Sequence, residues 1–232
     1  MNSILQTLLS YIWGFRICTL HSALNGKLEV WYISGKYRLD SEKANYSFGS
    51  LHRLFQKVFR EINLTVRNPE SLLLLGLGAG SIVSVLRDEL NMTTRIIGVE
   101  HDDRIIQLAR EYFGIDRYTG LTIVHEDAAV FVGTNDQKFD CLVIDLFHDR
   151  DVPEKFIQRS FLDHCFQHLS ENGILIFNYI AATKMQRKGF EELKGNFIAL
   201  GMEFRVLELL GENKVIVTKG LVTSHPSSQP GS

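Results

Sequence analysis

The feature that most constrains the fold is an apolar run that ends in closely spaced glycines. Residues 71–80 read Ser-Leu-Leu-Leu-Leu-Gly-Leu-Gly-Ala-Gly, and residues 81–90 have helical apolar spacing. Such a run predicts a buried parallel strand that enters a tight turn and then a helix. Gly76, Gly78 and Gly80 allow positive φ and leave room for a ligand against the backbone. The pattern indicates a nucleoside cofactor site, with an ordinary glycine-rich turn as the alternative.

An acidic residue follows where the ribose of such a cofactor would be bound. Residues 95–99 predict the second strand, so Glu100 stands at its carboxyl end, twenty positions after Gly80. A carboxylate there can accept hydrogen bonds from ribose hydroxyls. The dinucleotide motif GxGxxG would require a glycine at position 81, where this chain has Ser81. We therefore expect S-adenosylmethionine or a relative of it, and the spacing disfavours a dehydrogenase.

Composition excludes several other classes of protein. With 232 residues, of which 45% are hydrophobic, the chain can bury a core and form one main domain with a small appendage. Lys and Arg total 25 against 27 Asp and Glu, so a net charge of -2 provides no basic field for nucleic acid. Cys18, Cys141 and Cys165 lack metal-ligand spacing and indicate reduced thiols. We expect a cytoplasmic protein with no metal site and no nucleic-acid partner.

The two ends of the chain differ from its centre. Apolar residues near the N terminus are spaced as in an amphipathic helix: Ile4, Leu5, Leu8, Leu9, Ile12 and Trp13. No basic segment precedes them, and Gln6 and Ser10 interrupt the run, so neither a targeting segment nor a membrane span is predicted. The helix predicts packing on the domain or on a partner subunit, which makes a homodimer compatible with the sequence. Residues 221–232 predict a flexible tail.

The remaining periodicity predicts two structured regions. Residues 1–50 contain the N-terminal helix and a small antiparallel sheet, with a hairpin turn at Asn25-Gly26. Residues 51–220 begin with a helix and then alternate strands with helices. Strands are predicted near residues 71–75, 95–99, 121–125, 140–144, 173–179, 203–209 and 213–218. The fold class is therefore α/β, with a seven-stranded, mostly parallel Rossmann-like sheet whose last strand is antiparallel.

Acidic residues end three consecutive predicted strands. Glu100 follows the second strand of this sheet, Asp127 comes just after the third, and Asp145 follows the fourth. Ligands of open α/β sheets bind at the carboxyl ends of the strands. There Asp127 can accept a hydrogen bond from an adenine amino group while Ala128 leaves room for the ring, and Asp145 would face the reactive end of the cofactor. Each acid is also compatible with a helix N-cap or a loop ligand.

These features together resemble the spermidine synthase family, whose core has the fold of S-adenosylmethionine-dependent methyltransferases. The resemblance covers roughly residues 16–219. It rests on the small sheet, the glycine turn, Glu100, Asp127-Ala128 and Asp145, with further similarity at residues 50–54 and 153–161. It implies that Glu100 holds the ribose and Asp127 the adenine. It also implies that Asp145 is the general base that acts on an attacking amine.

Several positions depart from the pattern of that family. Ala79 stands where the family's glycine turn carries an aspartate that holds the terminal amine of the cofactor. Leu51 and Arg53 replace a tyrosine and a glutamate that help to receive the polyamine, and an arginine at close range repels a polycation. His148 aligns with the second acid of the catalytic loop, unless Asp149 takes that place one position later. These changes argue against spermidine synthesis itself.

The residues around Asp145 supply the remaining candidate roles. Asp145 and His148 are the candidate catalytic groups, since either can accept a proton from an incoming amine or hydroxyl. Asp149, Tyr46 and Tyr179 are candidate substrate-binding residues. The alternatives are a loop role for Asp145, a solvated loop around His148 and Asp149, and a place in the core for the two tyrosines.

The sequence as a whole favours transfer of a methyl group from S-adenosylmethionine to a small amine or oxygen nucleophile. The alternative within the family is aminopropyl transfer from decarboxylated S-adenosylmethionine to a polyamine. A non-catalytic nucleoside-binding module is a third hypothesis, because several of the family's acids are lost. The partner is a small-molecule substrate, with an amine as one candidate.

Overall fold

The N-terminal part of the protein is a short helix followed by a small antiparallel sheet. The computed structural model describes residues 3–41 and 49–218. Helix α1 spans Ser3–Ser10, and the strands are β1 (Phe15–Ser22), β2 (Gly26–Ile33) and β3 (Lys36–Ser41). Strand β2 lies between the other two and pairs antiparallel with both. The turn between β1 and β2 contains Gly26 at a φ of +64°, which confirms the predicted hairpin.

The rest of the described chain alternates helices and strands. The helices are α2 (Ser50–Glu61), α3 (Leu64–Arg67), α4 (Ser81–Ser84), α5 (Asp103–Phe113), α6 (Ala128–Thr134), α7 (Arg159–Gln167) and α8 (Lys184–Ala199); a π-helical segment, Val85–Glu89, extends α4. The strands are β4 (Ser71–Leu75), β5 (Arg95–Glu100), β6 (Leu121–His125), β7 (Phe139–Ile144), β8 (Leu169–Ile180), β9 (Phe204–Glu208) and β10 (Asn213–Thr218). Every strand predicted for the core is present.

The seven core strands form one sheet in the order β6-β5-β4-β7-β8-β10-β9. Strands β4 to β8 are all parallel to one another, and β10 is antiparallel to both of its neighbours, β8 and β9. The predicted sheet, mostly parallel with an antiparallel last strand, is confirmed. Strand β10 is nevertheless not at the edge, because it inserts between β8 and β9. Four of its residues, Val215, Ile216, Val217 and Thr218, are accordingly buried.

Both faces of the sheet are covered by apolar side chains, as a parallel sheet requires. The Leu run of β4 is buried throughout and alternates between the two faces. Leu72 and Leu74 pack in the layer that contains Phe55 and Val58 of α2. Leu73 and Leu75 pack in the opposite layer, among residues of α6, α7 and α8. This alternation fixes the direction in which β4 delivers the glycine turn.

The small sheet is attached to the core by apolar packing and by a buried carboxylate. Its residues Leu28, Val30 and Leu39 pack against α5 in a separate apolar cluster. Asp102, which is 1% exposed, caps α5 by accepting a hydrogen bond from the backbone N–H of Arg104. The same carboxylate accepts hydrogen bonds from the hydroxyl of Ser22 and from Asn25 Nδ2, the latter at 2.6 Å. The turn between β1 and β2 is therefore held beside the end of β5.

Helix α1 packs on the β2–β3 turn, in agreement with the predicted packing on the domain. Ser10 Oγ accepts a hydrogen bond from the backbone N–H of Gly35 at 2.8 Å. Ile12 and Trp13, which follow the helix, are 79% and 75% exposed. Among residues 3–41 and 49–218, no helix is long and apolar enough to cross a membrane. The homodimer remains a prediction, and the predicted tail, 221–232, lies outside the described residues.

Ser22→Ala should loosen the small sheet from the core. The substitution removes one donor to the buried Asp102 carboxylate, so we expect the free energy of unfolding to fall by about 1–3 kcal/mol. Urea denaturation measures the change, and His21→Ala, an exposed neighbour on the same strand, should stay within about 0.5 kcal/mol of the parent protein. Equal changes in the free energy of unfolding for the two substitutions would contradict the proposed stabilising role of the Ser22–Asp102 hydrogen bond.

Candidate functional site

A cavity of about 540 Å³ lies at the carboxyl ends of the parallel strands. Its floor is formed by the glycine turn after β4 and by the ends of β5 and β7. The wall includes Leu24 and Asn25 of the small sheet and the loop that follows β7. Of the residues predicted from the sequence, the lining contains Gly76, Gly78, Glu100, Asp127, Ala128, Asp145, His148 and Asp149. The prediction that polar residues converge at this edge is thus met by the geometry.

The glycine turn passes very close to β7. Gly76 has a φ of +90°, and a Cβ on this residue would collide with the backbone carbonyl of Asp145. The Gly76 N–H donates to the carbonyl of Val99 at 3.0 Å, which joins the turn to β5. Gly80 also has a positive φ, but its missing side chain makes room for Ile115, and it lines a separate cavity. Gly80 is therefore a turn residue, and its predicted contact with the cofactor is not supported.

Glu100 is held at the end of β5 by backbone N–H groups. Its Oε2 accepts from the N–H of Gly78 at 2.9 Å, and its Oε1 accepts from the N–H of Asp102 at 3.0 Å. Burial raises the pKa of Glu100 above its ordinary value, although these backbone hydrogen bonds oppose the rise. These backbone N–H groups take up only part of the roughly four acceptor positions of the carboxylate. The geometry is compatible with the predicted contact to ribose hydroxyls.

Asp127 and Ala128 lie where β6 gives way to α6. Asp127 caps the helix, accepting from the N–H of Ala129 at 2.9 Å through Oδ1. Its Oδ2 accepts from Lys155 Nζ at 2.6 Å. Burial raises the pKa of Asp127, but the hydrogen bond from Lys155 and those from the backbone outweigh it, so the net pKa lies below the ordinary value. The N-cap interpretation of Asp127 is therefore confirmed, and because the residue also lines the cavity its contact with adenine stays a prediction.

Asp145 is the carboxylate best suited to accept a proton. Burial raises the pKa of Asp145 to about 7, with a smaller increase from the negative charge of Glu100 and an opposing effect from the hydrogen bond of Asn178. That bond joins Asn178 Nδ2 to Asp145 Oδ1 at 2.9 Å. Asp145 Oδ2 has no hydrogen-bond partner among the described residues, and the residue lines the cavity. One oxygen is therefore anchored and the other is available to a ligand.

His148 and Asp149 lie in the loop after β7 and shape the mouth of the cavity. His148 Nε2 lies 3.2 Å from the carbonyl oxygen of Leu24, to which it donates in the tautomer that carries the hydrogen on Nε2. The backbone of His148 also pairs with Asp151 across the loop. Asp149 adopts a φ of +56°, and Ser41 Oγ donates to its Oδ1 at 3.3 Å. The loop is thus joined to the small sheet on one side of the cavity.

Of the two predicted tyrosines, the structure describes Tyr179, and this residue does not line the cavity. Tyr179 is 5% exposed and packs against Phe190, with ring centroids 5.4 Å apart. Its neighbours Asn178 and Ile180 line the cavity instead, because successive side chains of β8 point to opposite faces. The structure therefore supports the core interpretation of Tyr179 and corrects its assignment to the substrate site. Tyr46 lies outside the described residues.

The structure also locates the residues that depart from the family pattern. Ala79 is 3% exposed and packs in the apolar cluster between the small sheet and α5, so its side chain faces away from the cavity lining. Leu51 lines the cavity, whereas Arg53 is exposed on α2 and is not among its lining residues. The expected repulsion of a polycation by Arg53 therefore has no support in the geometry.

Sequence reasoning missed several polar residues of the site, of which three bear on its chemistry. Asn178, Asn213 and Lys155 all line the cavity. Asn178 is a polar residue within the apolar run of β8, which was the one available signal for it. Within the described part of the chain, no group of three or more His, Cys, Asp or Glu side chains could hold a metal ion.

Asp145→Asn should stabilise the fold, and more so at pH 8 than at pH 5. Because the folded-state pKa of about 7 lies above the ordinary value of 3.8, the folded state loses stability as the pH rises from about 4 to about 7. A neutral amide removes this cost, and we expect a gain of at least about 1 kcal/mol at pH 8, or about 2–4 °C in Tm. Calorimetric melting at both pH values measures it. A gain that does not grow with pH, or one shared by the exposed control Asp136→Asn, would contradict the buried-carboxylate assignment.

Sequence comparison connects this geometry to known proteins. Residues 57–205 match the family model described as the spermine/spermidine synthase domain. The chain is 29% identical over 164 residues to a polyamine aminopropyltransferase of Vibrio vulnificus, and the alignment covers 69% of this chain and 53% of that protein. The chain spans about half the length of the curated relatives of this kind that it matches.

Solved structures agree on the architecture. Spermidine synthase from Thermotoga maritima is similar with a TM-score of 0.70 at 15% identity, over 89% of this chain and 73% of that one. Human methyltransferase-like protein 13 in complex with SAH is similar with a TM-score of 0.60 at 20% identity, over 80% of this chain and 86% of that one. The Rossmann-like methyltransferase fold predicted from the sequence is confirmed. Because the family model also matches more than half of the residues, the chain belongs to the spermine/spermidine synthase family.

Proposed function

We propose that the protein transfers a methyl group from S-adenosylmethionine to a small amine, with an oxygen nucleophile as the variant acceptor. The observation that carries the proposal is the carboxylate of Asp145. Asp145 lines the cavity, burial raises its pKa to about 7, and its Oδ2 has no hydrogen-bond partner among residues 3–41 and 49–218. A general base is most effective when its pKa lies near the working pH. The relatives named above are transferases that belong to the same family or share its fold.

The residues at the cavity fit such a cofactor. A volume of about 540 Å³ falls in the range of about 300–1,000 Å³ that is typical of small-molecule sites. The turn at Gly76 and Gly78 leaves the backbone open on this side, since both residues line the cavity without side chains. Glu100 would accept hydrogen bonds from the ribose hydroxyls. Asp127 would accept one from the adenine amino group through Oδ2, beside Lys155 or in its place.

The residues of the protein have a limited task in this chemistry. S-adenosylmethionine, when bound, supplies a methyl group on a sulfonium, which leaves as a neutral thioether without help from an acid. Asp145 Oδ2 orients the acceptor and takes the proton that the amine nitrogen loses as its new bond to carbon forms. Asn178 holds the other oxygen of the carboxylate in place. Alignment of the two reactants then supplies most of the rate enhancement.

The charges around the cavity favour a cationic or amine acceptor. Six carboxylates line it: Glu100, Asp102, Glu126, Asp127, Asp145 and Asp149. The Lys and Arg side chains of the lining are both engaged by acids, since Lys155 pairs with Asp127 and Arg150 pairs with Glu212, each at 2.6 Å. Acidic walls of low dielectric attract cations and raise their local concentration. An anionic acceptor would be repelled from the same site.

The residues of the glycine turn support methyl transfer over aminopropyl transfer. Aminopropyl transfer moves a chain that ends in an ammonium, which needs a counterion. The glycine turn supplies none, because Ala79, at the position of the family's acid, is uncharged and packed among apolar residues, so a counterion would have to come from another acid of the cavity lining. The second candidate remains aminopropyl transfer, and the observation in its favour is the match to relatives named polyamine aminopropyltransferase.

Affinities for three nucleosides should separate these functions. We expect S-adenosylmethionine and decarboxylated S-adenosylmethionine to bind with Kd values less than tenfold apart. The reason is that residue 79 has no acidic side chain that would favour binding of the decarboxylated form. Methylthioadenosine, which lacks both charged ends, reports the contribution of the nucleoside alone. Isothermal titration calorimetry measures all three. A preference of tenfold or more for the decarboxylated form, about 1.4 kcal/mol, would overturn methyl transfer in favour of aminopropyl transfer.

Turnover is tested with a panel of small amines and alcohols in the presence of either cofactor. Mass spectrometry distinguishes a methylated product from an aminopropylated one. Binding of the nucleosides with no product from any acceptor would favour the third hypothesis, a non-catalytic nucleoside-binding module.

Glu100→Gln should weaken binding of S-adenosylmethionine by about tenfold or more, because a neutral amide accepts weaker hydrogen bonds than a carboxylate. Glu126→Gln is the matched control, since Glu126 lines the same cavity and has no ribose contact in the proposal. Calorimetric titration gives both affinities, and melting curves without ligand show whether either variant is unfolded. Unchanged affinity in a folded Glu100→Gln protein would remove this residue from the ribose role.

A further inference from the structure

We propose that Asn178 and Asn213 form an ordered pair of amides that positions the carboxylate of Asp145. The inference rests on the proposed function, because positioning matters only if Asp145 acts on an acceptor. The two asparagines come from neighbouring strands, β8 and β10, and Asp145 directly follows β7. Together they form a chain of hydrogen bonds that crosses three strands at the floor of the cavity. We call Asn178 and Asn213 the amide pair.

The distances make the chain continuous. Asn213 Nδ2 donates to Asn178 Oδ1 at 3.0 Å, and Asn178 Nδ2 donates to Asp145 Oδ1 at 2.9 Å. Strand register brings the side chains together: Asn178 pairs with Val215, two residues beyond Asn213 on β10. Residues in this diagonal relation on one face of a sheet lie close enough for their side chains to interact. The chain is therefore built by the backbone pairing of β8 and β10.

Chemistry fixes the direction of the hydrogen bonds. An ionised carboxylate only accepts hydrogen bonds, so Asn178 must turn its NH₂ group toward Asp145. The carbonyl oxygen of Asn178 then faces Asn213, which must present its own NH₂ group. Asn178 is 1% exposed, so water does not replace a lost partner easily. Asn213 thus holds Asn178 in the orientation that favours the ionised form of Asp145.

The arrangement also explains how the two oxygens of Asp145 are distinguished. Oδ1 is held by Asn178, and Oδ2 is the oxygen left for the cavity. The elements packed around Asp145 present few other groups to it. Strand β4 contributes the glycine turn, β8 contributes Asn178, and β5 contributes the carboxylate of Glu100, whose charge raises the pKa of Asp145. On its own loop, the nearby charged or titratable residues of the cavity lining are His148, Asp149 and Arg150.

The test compares Asn178→Leu, Asn213→Leu and the double variant with the parent protein. The first readout is the titration of Asp145 in the free protein, followed by NMR of its side-chain carboxyl carbon. Loss of a donor disfavours the ionised form, so Asn178→Leu should raise the pKa of Asp145 by about one to two units. Asn213→Leu should raise it by about half a unit or more, because Asn178 is then free to rotate.

The double variant decides whether Asn213 acts through Asn178. If it does, Asn178→Leu combined with Asn213→Leu should shift the titration no further than Asn178→Leu alone. Lys214→Met is the control, since Lys214 is the next residue on β10 and its side chain pairs with Glu208 on β9. It should leave the titration of Asp145 unchanged. Additive shifts from the two asparagine variants, or a shift in the control, would overturn the amide pair.

The second readout is the pH profile of kcat/KM with the acceptor found in the amine panel. Its acidic limb should move to higher pH in both single variants, while the Kd of S-adenosylmethionine stays within about twofold. Titration shifts in a protein that transfers neither methyl nor aminopropyl groups would overturn the proposed function and support the amide pair. An unchanged titration of Asp145 in an active, folded Asn178→Leu or Asn213→Leu protein would overturn the amide pair alone.

Discussion

The close approach of the glycine turn to β7 is the contact on which the site depends. The carbonyl of Asp145 occupies the space that a side chain on Gly76 would need, and the N–H of Asp145 donates to Leu75 at 2.8 Å. The same turn is tied to β5 through Val99 and, at Gly78, through Glu100. One backbone segment therefore fixes the distance between Glu100, the proposed ribose-binding acid, and Asp145, the proposed base. It can do so only because glycine adopts positive φ without a Cβ.

Most of the fold can be predicted from the spacing of apolar residues in the sequence. The Leu run of β4 predicts a strand buried on both faces, and the helical and strand periods alternate in the order that a parallel sheet requires. The order of the strands at the antiparallel end is different. Strands β9 and β10 form the predicted hairpin, yet β10 pairs with β8 and places β9 at the edge. Their apolar residues predict two strands but do not encode which of them is the neighbour of β8.

The site was predictable where chemistry coincides with the end of a strand. Glu100 and Asp145 are conspicuous because each acid follows an apolar run. The sequence does not show on which face of β8 Tyr179 lies. A shift of one residue in the register of the strand would move its side chain from the core to the cavity. Asn178 was visible in the sequence as one polar residue in an apolar strand. Its role becomes clear only from its partners, Asp145 after β7 and Asn213 on β10. Ala79 marks a real departure, but only packing against the small sheet shows where its side chain points.

The turn between β1 and β2 gives the small sheet a share in the cavity. Leu24 and Asn25 of this turn line the cavity. His148 lies within hydrogen-bond distance of the carbonyl of Leu24, and Asp102 accepts a hydrogen bond from Asn25. The boundary at residue 50 between appendage and core, drawn from the sequence, therefore passes through the candidate site. Any ligand that contacts this wall is thermodynamically linked to the folding of the small sheet, so occupancy of the cavity and order in the first forty residues rise and fall together.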